Sequence, residues 1–143
     1  MNFREAVPSD PDARRLLNDY FTSRELGFTG ANGYTIVFPG DQQFEPPHGV
    51  FLVVEVDDAS VACGGIRHID SVASDEEWFE VKHLWVEPDG RGHGLGRLLL
   101  SELESRAMNF GATHAVLDTN ASLAAAGGLY LSSGYHAIVP YND

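Results

Sequence analysis

"RGHGLGRLLL", residues 91–100, sets Gly92, Gly94 and Gly96 at alternate positions and then runs into a leucine-rich stretch with helical spacing. Glycines there leave the backbone bare, so successive N–H groups can converge on an anion, while the start of the helix adds unpaired donors and the positive end of its dipole. One exposed contact of this kind contributes about 0.3–1 kcal/mol, so only several converging on one group make a site. Arg91, His93 and Arg97 gather basic side chains around the loop in an otherwise acidic chain. The same glycines would also suit a turn that merely packs a helix tightly against a strand, and their spacing alone leaves both readings open. A Walker A loop requires Gly-Lys followed by Ser or Thr, whereas Gly96 is followed by Arg97 and Leu98, so nucleoside triphosphate hydrolysis is unsupported. A dinucleotide-binding Gly-x-Gly-x-x-Gly loop fits little better, because the third glycine comes one position early.

Outward from the loop, strand and helix patterns alternate. "WFEVKHLWV", residues 78–86, reads as a strand that "EPDG" ends. Leu95, Leu99, Leu103, Ala107 and Phe110 form one stripe of a helix that Gly111 closes. "THAVLDT" is a strand, "SLAAAGGLYLSS" a short helix terminated by Gly134, and "YHAIVPY" a last strand. Upstream, residues 2–7 read as a strand and Pro11 begins a helix capped by Ser9 or Asp10, with Leu16, Leu17, Tyr20 and Phe21 on its apolar face. "VFLVVEV" and "VACGGIRHI" flank "DDAS" as a hairpin. Residues 27–49 are rich in Gly, Pro and Asn and irregular, apart from a candidate strand "YTIVF", and offer a partner-specific loop. The sum is a mixed α/β domain.

With 143 residues, 43% of them hydrophobic, the chain suits one globular domain over residues 1–143. Nine Lys and Arg against 21 Asp and Glu give a net charge of −12, which disfavours nucleic acid and anionic membranes and favours a cationic or zwitterionic small amine over an acidic one. The single cysteine, Cys63 in the apolar run "VACGG", allows no internal disulfide, makes a cysteine-based zinc site improbable and reads as a small buried hydrophobe. No metal site is expected. With neither a signal-like apolar core nor a membrane-length apolar window, a cytoplasmic protein is expected.

"RGHGLG" resembles the Arg/Gln-x-x-Gly-x-Gly/Ala signature of the GNAT superfamily of N-acetyltransferases. The similarity extends through "EVKHLWVEPDGRGHGLGRLLLSELE" and "LDT...AGGLYLSSGY", while residues 1–49 match only in outline. It implies a central, mixed, mostly antiparallel sheet flanked by helices and splayed between the strands at about 78–86 and 113–118. It implies acetyl-CoA as co-substrate, its pyrophosphate held by Arg91, Gly92, His93, Gly94, Leu95, Gly96 and Arg97, and its pantetheine by the backbone of Leu84, Trp85 and Val86. Pantetheine is an extended chain with two amides, so backbone donors suit it as they would suit another strand. Dimers are common in the family, which makes a homodimer an option.

Transfer to an amine requires loss of a proton, because an alkyl ammonium with a pKa near 10.4 is only about 0.1% free base at pH 7. Glu80 precedes Arg91 by the offset at which family members with a glutamate base carry it, and could act directly or through water. The plainer alternative is an exposed strand carboxylate paired with Lys82 or Arg67. The departing CoA thiolate needs a proton in turn, and Tyr130 in "Tyr-x-x-x-Gly-Tyr" matches the family's general acid; the alternative is a core tyrosine. Many members carry an asparagine seven residues before that tyrosine, where this chain has Leu123, and Asn120 is the candidate substitute. His83 is expected to pack or face solvent, while Arg67 and His68 end a strand near the acceptor side. The expected activity is direct acetyl transfer to the primary amine of a small substrate; a non-catalytic acyl-CoA sensor of the same fold is the alternative.

Overall fold

The computed structural model of the chain describes residues 1–26, 38–71, 73–117, 129–130, 133–136 and 138. In chain order they form β1 (Asn2–Ala6), α1 (Pro11–Leu26), a 3-10 turn (Asp41–Phe44), β2 (Gly49–Val56), β3 (Ala59–Ile69), β4 (Trp78–Val86), a second 3-10 turn (Pro88–Gly90), α2 (Leu95–Asn109) and β5 (His114–Leu117). The strands make one sheet in the order β1-β2-β3-β4-β5. The first four are antiparallel to their neighbours, and β5 alone runs parallel to β4. A parallel neighbour needs a crossover, which α2 supplies on one face of the sheet.

Local chemistry explains the joints. Asp10 caps α1, its carboxylate accepting the N–H groups of Asp12 at 3.1 Å and Ala13 at 3.2 Å, while Pro11 occupies the first helical position where no N–H is required. Ser9, the other expected cap, instead donates its hydroxyl to Asp41 at 2.6 Å and ties the start of α1 to the first 3-10 turn. Between β2 and β3 the loop is Asp57 and Asp58, both with positive φ (51° and 67°), the conformation a two-residue hairpin needs to match the strand twist.

Two apolar layers sandwich the sheet. On one face Leu99, Leu100, Leu103 and Ala107 of α2 pack against Val50, Leu52, Val54, Ile66, Phe79 and Val81. On the other, Ala13, Leu16, Leu17 and Phe21 of α1 meet Phe44, Phe51, Val53 and Cys63. Residues 49–54 of β2 are buried throughout, as expected of a strand covered on both faces. The expected strand at 34–38 and the helix over 122–133 lie mostly outside the described residues, and Asn120 and Leu123 wholly so. Of the expected last strand, Tyr135, His136 and Ile138 are described and are not in strand conformation.

Arg4 hydrogen bonds hold the Asp10 carboxyl below the usual carboxylate range, against the opposing effect of burial. Replacing Asp10 by Ala removes both the cap and this pair, and should cost about 1–2 kcal/mol in urea unfolding at pH 7. A depressed folded-state value stabilises above the ordinary carboxyl range and ceases to do so as pH falls through the folded value. The gap between wild type and Asp10→Ala should therefore narrow on acidification; a gap independent of pH would contradict the role of the ionised carboxylate in both the pair and the cap.

Candidate active site

β4 is paired on both edges over residues 78–81, from Trp78↔His114 to Val81↔Leu117. Beyond that point the β5 side has no strand among the described residues, while β3 still pairs with β4 as far as Val86. The Glu87 N–H goes to the Val61 carbonyl of β3 at 2.8 Å, so alternation along the strand turns the main-chain groups of Val86 and Leu84 toward the open edge. Leu84, Trp85 and Val86 thus occupy the open stretch that the sequence assigns to pantetheine.

Inside this stretch the ladder is broken. Cys63 faces Trp85 and Gly65 faces Lys82, so Gly64 stands opposite both His83 and Leu84. Such a bulge bends the strand and changes which face its side chains take. Residues 80 and 82 share the α1 face, His83 stays on that face instead of crossing, and Leu84 and Val86 return to the α2 core. His83 carries the bulge at φ 60°, a left-handed conformation that costs a non-glycine residue about 1–2 kcal/mol. Its ring meets Phe21, Tyr20 and Phe44 edge-on at centroid distances of 5.4, 5.6 and 6.3 Å. Aromatic pairs contribute about 0.5–1.5 kcal/mol each beyond area burial, so three contacts are enough to offset the strain. Cys63, buried and with its thiol pushed up by desolvation, donates weakly to the His83 carbonyl at 3.7 Å.

The glycine loop divides its work. Gly92 and Gly94 have φ of 85° and 76°, and a Cβ at either would meet nothing within 4 Å, so these two are required by conformation and not by space. Gly96 is the reverse case: a Cβ there would come within 3.2 Å of the Leu129 side chain and 3.8 Å of Val86, so it brings the first turn of α2 close to its neighbours. The packing reading of the spacing thus applies to Gly96, while Gly92 and Gly94 answer to backbone conformation. Gly94 is the N-cap of α2 and supplies no side-chain acceptor, while its carbonyl takes the Leu98 N–H at 3.0 Å. No capping side chain competes with an anion for the N–H groups of the first turn. Arg91, exposed, donates Nε to the Val86 carbonyl at 2.9 Å and lays its guanidinium 4.8 Å from the Trp85 ring. His93 and Arg97 are exposed and Leu95 half-buried. On the β3 side of β4, His93 and Leu95 line a recess of about 600 Å³ with Arg15, Val61 and Glu87. Burial, then Asp19 beside it, raises the Glu87 carboxyl above its ordinary value despite Arg15 at 3.0 Å.

Glu80 is buried, only 3% exposed, and does not lie on an exposed strand face. Its Oε1 accepts both Nε and a terminal nitrogen of Arg67, at 3.2 and 2.9 Å, and Arg67 gives a further hydrogen bond to Gln43 at 2.8 Å. Taking a proton at that oxygen would first break the pair. Tyr130 is half-buried against the α2 core, 6.1 Å from the Tyr135 ring. Its hydroxyl is pushed up to about 12 by burial and then by Tyr20, so it remains a donor throughout the neutral range. Gly134 at φ 97° turns the chain there, with the Tyr135 N–H returned to the Tyr130 carbonyl at 3.1 Å. Tyr20 was legible only as part of the apolar face of α1. Its ring lies 5.6 Å from His83 and 6.3 Å from Trp85, which links α1 and Tyr130 to the bulge.

The Acetyltransferase (GNAT) family matches residues 11–135 of the chain. An uncharacterized N-acetyltransferase of Schizosaccharomyces pombe is 28% identical over 137 residues, covering 94% of this chain and 82% of the relative. The uncharacterized N-acetyltransferase YjgM of Escherichia coli is 28% identical over 139 residues, covering 94% of this chain and 81% of the relative. Among solved structures, an aminoglycoside N-acetyltransferase in complex with CoA has the same fold, with a TM-score of 0.69 at 11% identity over 99% of this chain and 98% of the other. The open edge of β4, its bulge and the glycine loop leading into α2 thus belong to an acetyltransferase, and the chain is a member of the GNAT family.

Proposed function

We propose that the chain is an acetyl-CoA-dependent N-acetyltransferase that moves the acetyl group directly to the primary amine of a small substrate. The observation that carries this reading is a strand edge, residues 82–86, without a partner strand among the described residues, which leads through a 3-10 turn into a loop with two left-handed glycines and an uncapped helix start. The first suits a chain of amides and the second a diphosphate, so the residues present fit the group the family uses. When bound, acetyl-CoA supplies an activated thioester.

The remaining roles fall to this chain's residues. Main-chain groups of Leu84 and Val86 receive the pantetheine arm, while those of Trp85, between them, face β3 and leave its expected contact to the side chain. The loop from Arg91 to Arg97 holds the pyrophosphate, with Arg91 placed to leave the Val86 carbonyl for the phosphates. Much of the rate advantage would come from fixing amine and thioester in line. Tyr130 would hand its hydroxyl proton to the departing thiolate; burial keeps that proton in place at neutral pH and also makes it harder to release, so the transfer relies on close positioning of the thiolate. Glu80 would accept the amine's proton through water; its burial and its place two residues before the bulge support this, and the Arg67 pair favours a second reading in which it organises the strand ends. Asn120, outside the described residues, is proposed as a cofactor contact on the family resemblance alone.

Each assignment has a separate measurement. A β-branched side chain at φ 76° costs about 1–2 kcal/mol, and every 1.4 kcal/mol is tenfold in affinity, so Gly94→Val should weaken acetyl-CoA binding in calorimetry by about tenfold or more. Undiminished affinity would take the loop out of the site. Tyr130→Phe should lower kcat by about 10²–10⁴ with acetyl-CoA affinity kept, and unchanged turnover would remove Tyr130 from the mechanism. Glu80→Gln should lower kcat by a similar factor with Tm nearly kept. A reduced Tm with kcat intact would instead assign Glu80 to structure.

A further inference from the structure

Two phenols, one from each apolar layer, converge on the same stretch of β4. Tyr20 belongs to the α1 layer. Its ring meets His83 edge-on at 5.6 Å and Trp85 at 6.3 Å, so it lies over residues 83–85. Tyr130 packs against the α2 core, and its chain neighbour Leu129 comes to the same level of the strand: a Cβ at Gly96 would lie 3.2 Å from Leu129 and 3.8 Å from Val86. The two hydroxyls are close enough that Tyr20 adds to the effect of burial in holding the Tyr130 proton.

Packing accounts for the Tyr20 ring and leaves its hydroxyl without a purpose. The next residue, Phe21, is only 6% exposed, meets the Tyr20 ring at 5.1 Å and fills the core with no polar atom. Tyr20, half-buried at the rim of that cluster, carries a polar handle that an apolar helix face does not need. Tyr130, for its part, needs help. Burial protects its proton and, for the same reason, disfavours the phenolate that remains once the proton is given. A thiol ordinarily titrates near 8.5 and the Tyr130 hydroxyl at about 12, so the transfer runs uphill by a factor of about 10³ or more. A donor hydrogen bond to the phenolate favours its charged form and recovers about 10- to 100-fold of that factor.

We infer that Tyr20 is a further positioning residue of acetyl transfer, its hydroxyl donating to the Tyr130 oxygen and stabilising the phenolate formed there. The inference deepens the acetyltransferase reading and rests on Tyr130 as its proton donor. Tyr130 gives its proton to sulfur as the C–S bond breaks with the electron pair on sulfur. The oxygen left negative accepts the Tyr20 O–H, and it regains a proton from the product nitrogen, which sheds one as the amide forms. Tyr20 keeps its own proton throughout.

The test follows acetyl transfer to whichever small primary amine wild type uses best from a panel of amino acids and diamines, in wild type, Tyr20→Phe, Tyr130→Phe and the double variant. Tyr20→Phe keeps the ring contacts, so Tm and the KM for acetyl-CoA should be nearly unchanged while kcat falls by about 10- to 100-fold. In the Tyr130→Phe background the same substitution should cost less than about twofold, because the oxygen it serves is gone. An unchanged kcat in Tyr20→Phe, or an equal loss in both backgrounds as a merely structural role would give, overturns this inference alone. An NOE between ring protons of Tyr20 and Tyr130 is also expected in the wild-type protein with CoA bound, and its absence overturns the inference without any variant. Unchanged turnover in Tyr130→Phe, or no transfer to any amine, takes away the reading beneath it as well.

Discussion

The described part of β5 ends at Leu117, opposite Val81, and from there β4, a central strand of the sheet, keeps a row of main-chain donors and acceptors without a partner strand among the described residues. Such groups must be satisfied somewhere, and leaving an edge open inside a fold normally invites unwanted pairing. Here the edge is short and begins at a bulge. It ends in the 3-10 turn that delivers the glycine loop, where Arg91 folds back on Val86. The edge and the loop belong to one continuous stretch of 16 residues, 82–97, so the geometry that aligns one aligns the other.

The surroundings hold that edge in place. The α2 core supports β4 from one side through Val81, Leu84 and Val86, and the α1 layer supports it from the other through Trp85 and His83. The left-handed turn at His83 is maintained because its ring packs among Tyr20, Phe21 and Phe44, each from an element on the α1 face. Gly64 completes the arrangement: a Cβ there would reach Leu84 at 3.0 Å and Leu103 at 3.2 Å, so only glycine lets β3 pass so close to the bulged strand. Strain at His83 and close approach at Gly64 are two sides of one packing solution.

Much of this was legible before any coordinates. Glycine spacing, the leucine stripe of α2 and the hairpin around "DDAS" are local signals, and each marked its element, although the turn itself takes only Asp57 and Asp58. The bulge was not legible, because a one-residue slip between β3 and β4 depends on what both strands pack against and leaves no mark on either sequence. The sequence offered Arg67 and Lys82 alike as partners of an exposed Glu80; the register selects Arg67 by setting it opposite, and the burial of Glu80 was the part no strand pattern showed. Tyr20 read as part of an apolar helix face, and so it is, but its position over the bulge follows only from how α1 crosses the sheet. Gly96 shows the remaining ambiguity: glycine spacing states that a Cβ is unwelcome without saying whether conformation or contact forbids it.

The central claim is that the free edge of β4 is completed by an extended ligand. Amide hydrogen exchange read residue by residue by NMR, with and without acetyl-CoA, tests it most directly at Leu84 and Val86, whose N–H groups face the open side. The account predicts that exchange at these two amides slows by at least about tenfold on adding the ligand, while Trp85 and Glu87, turned toward β3, change little. Unaltered exchange at Leu84 and Val86 in the presence of bound acetyl-CoA would contradict it.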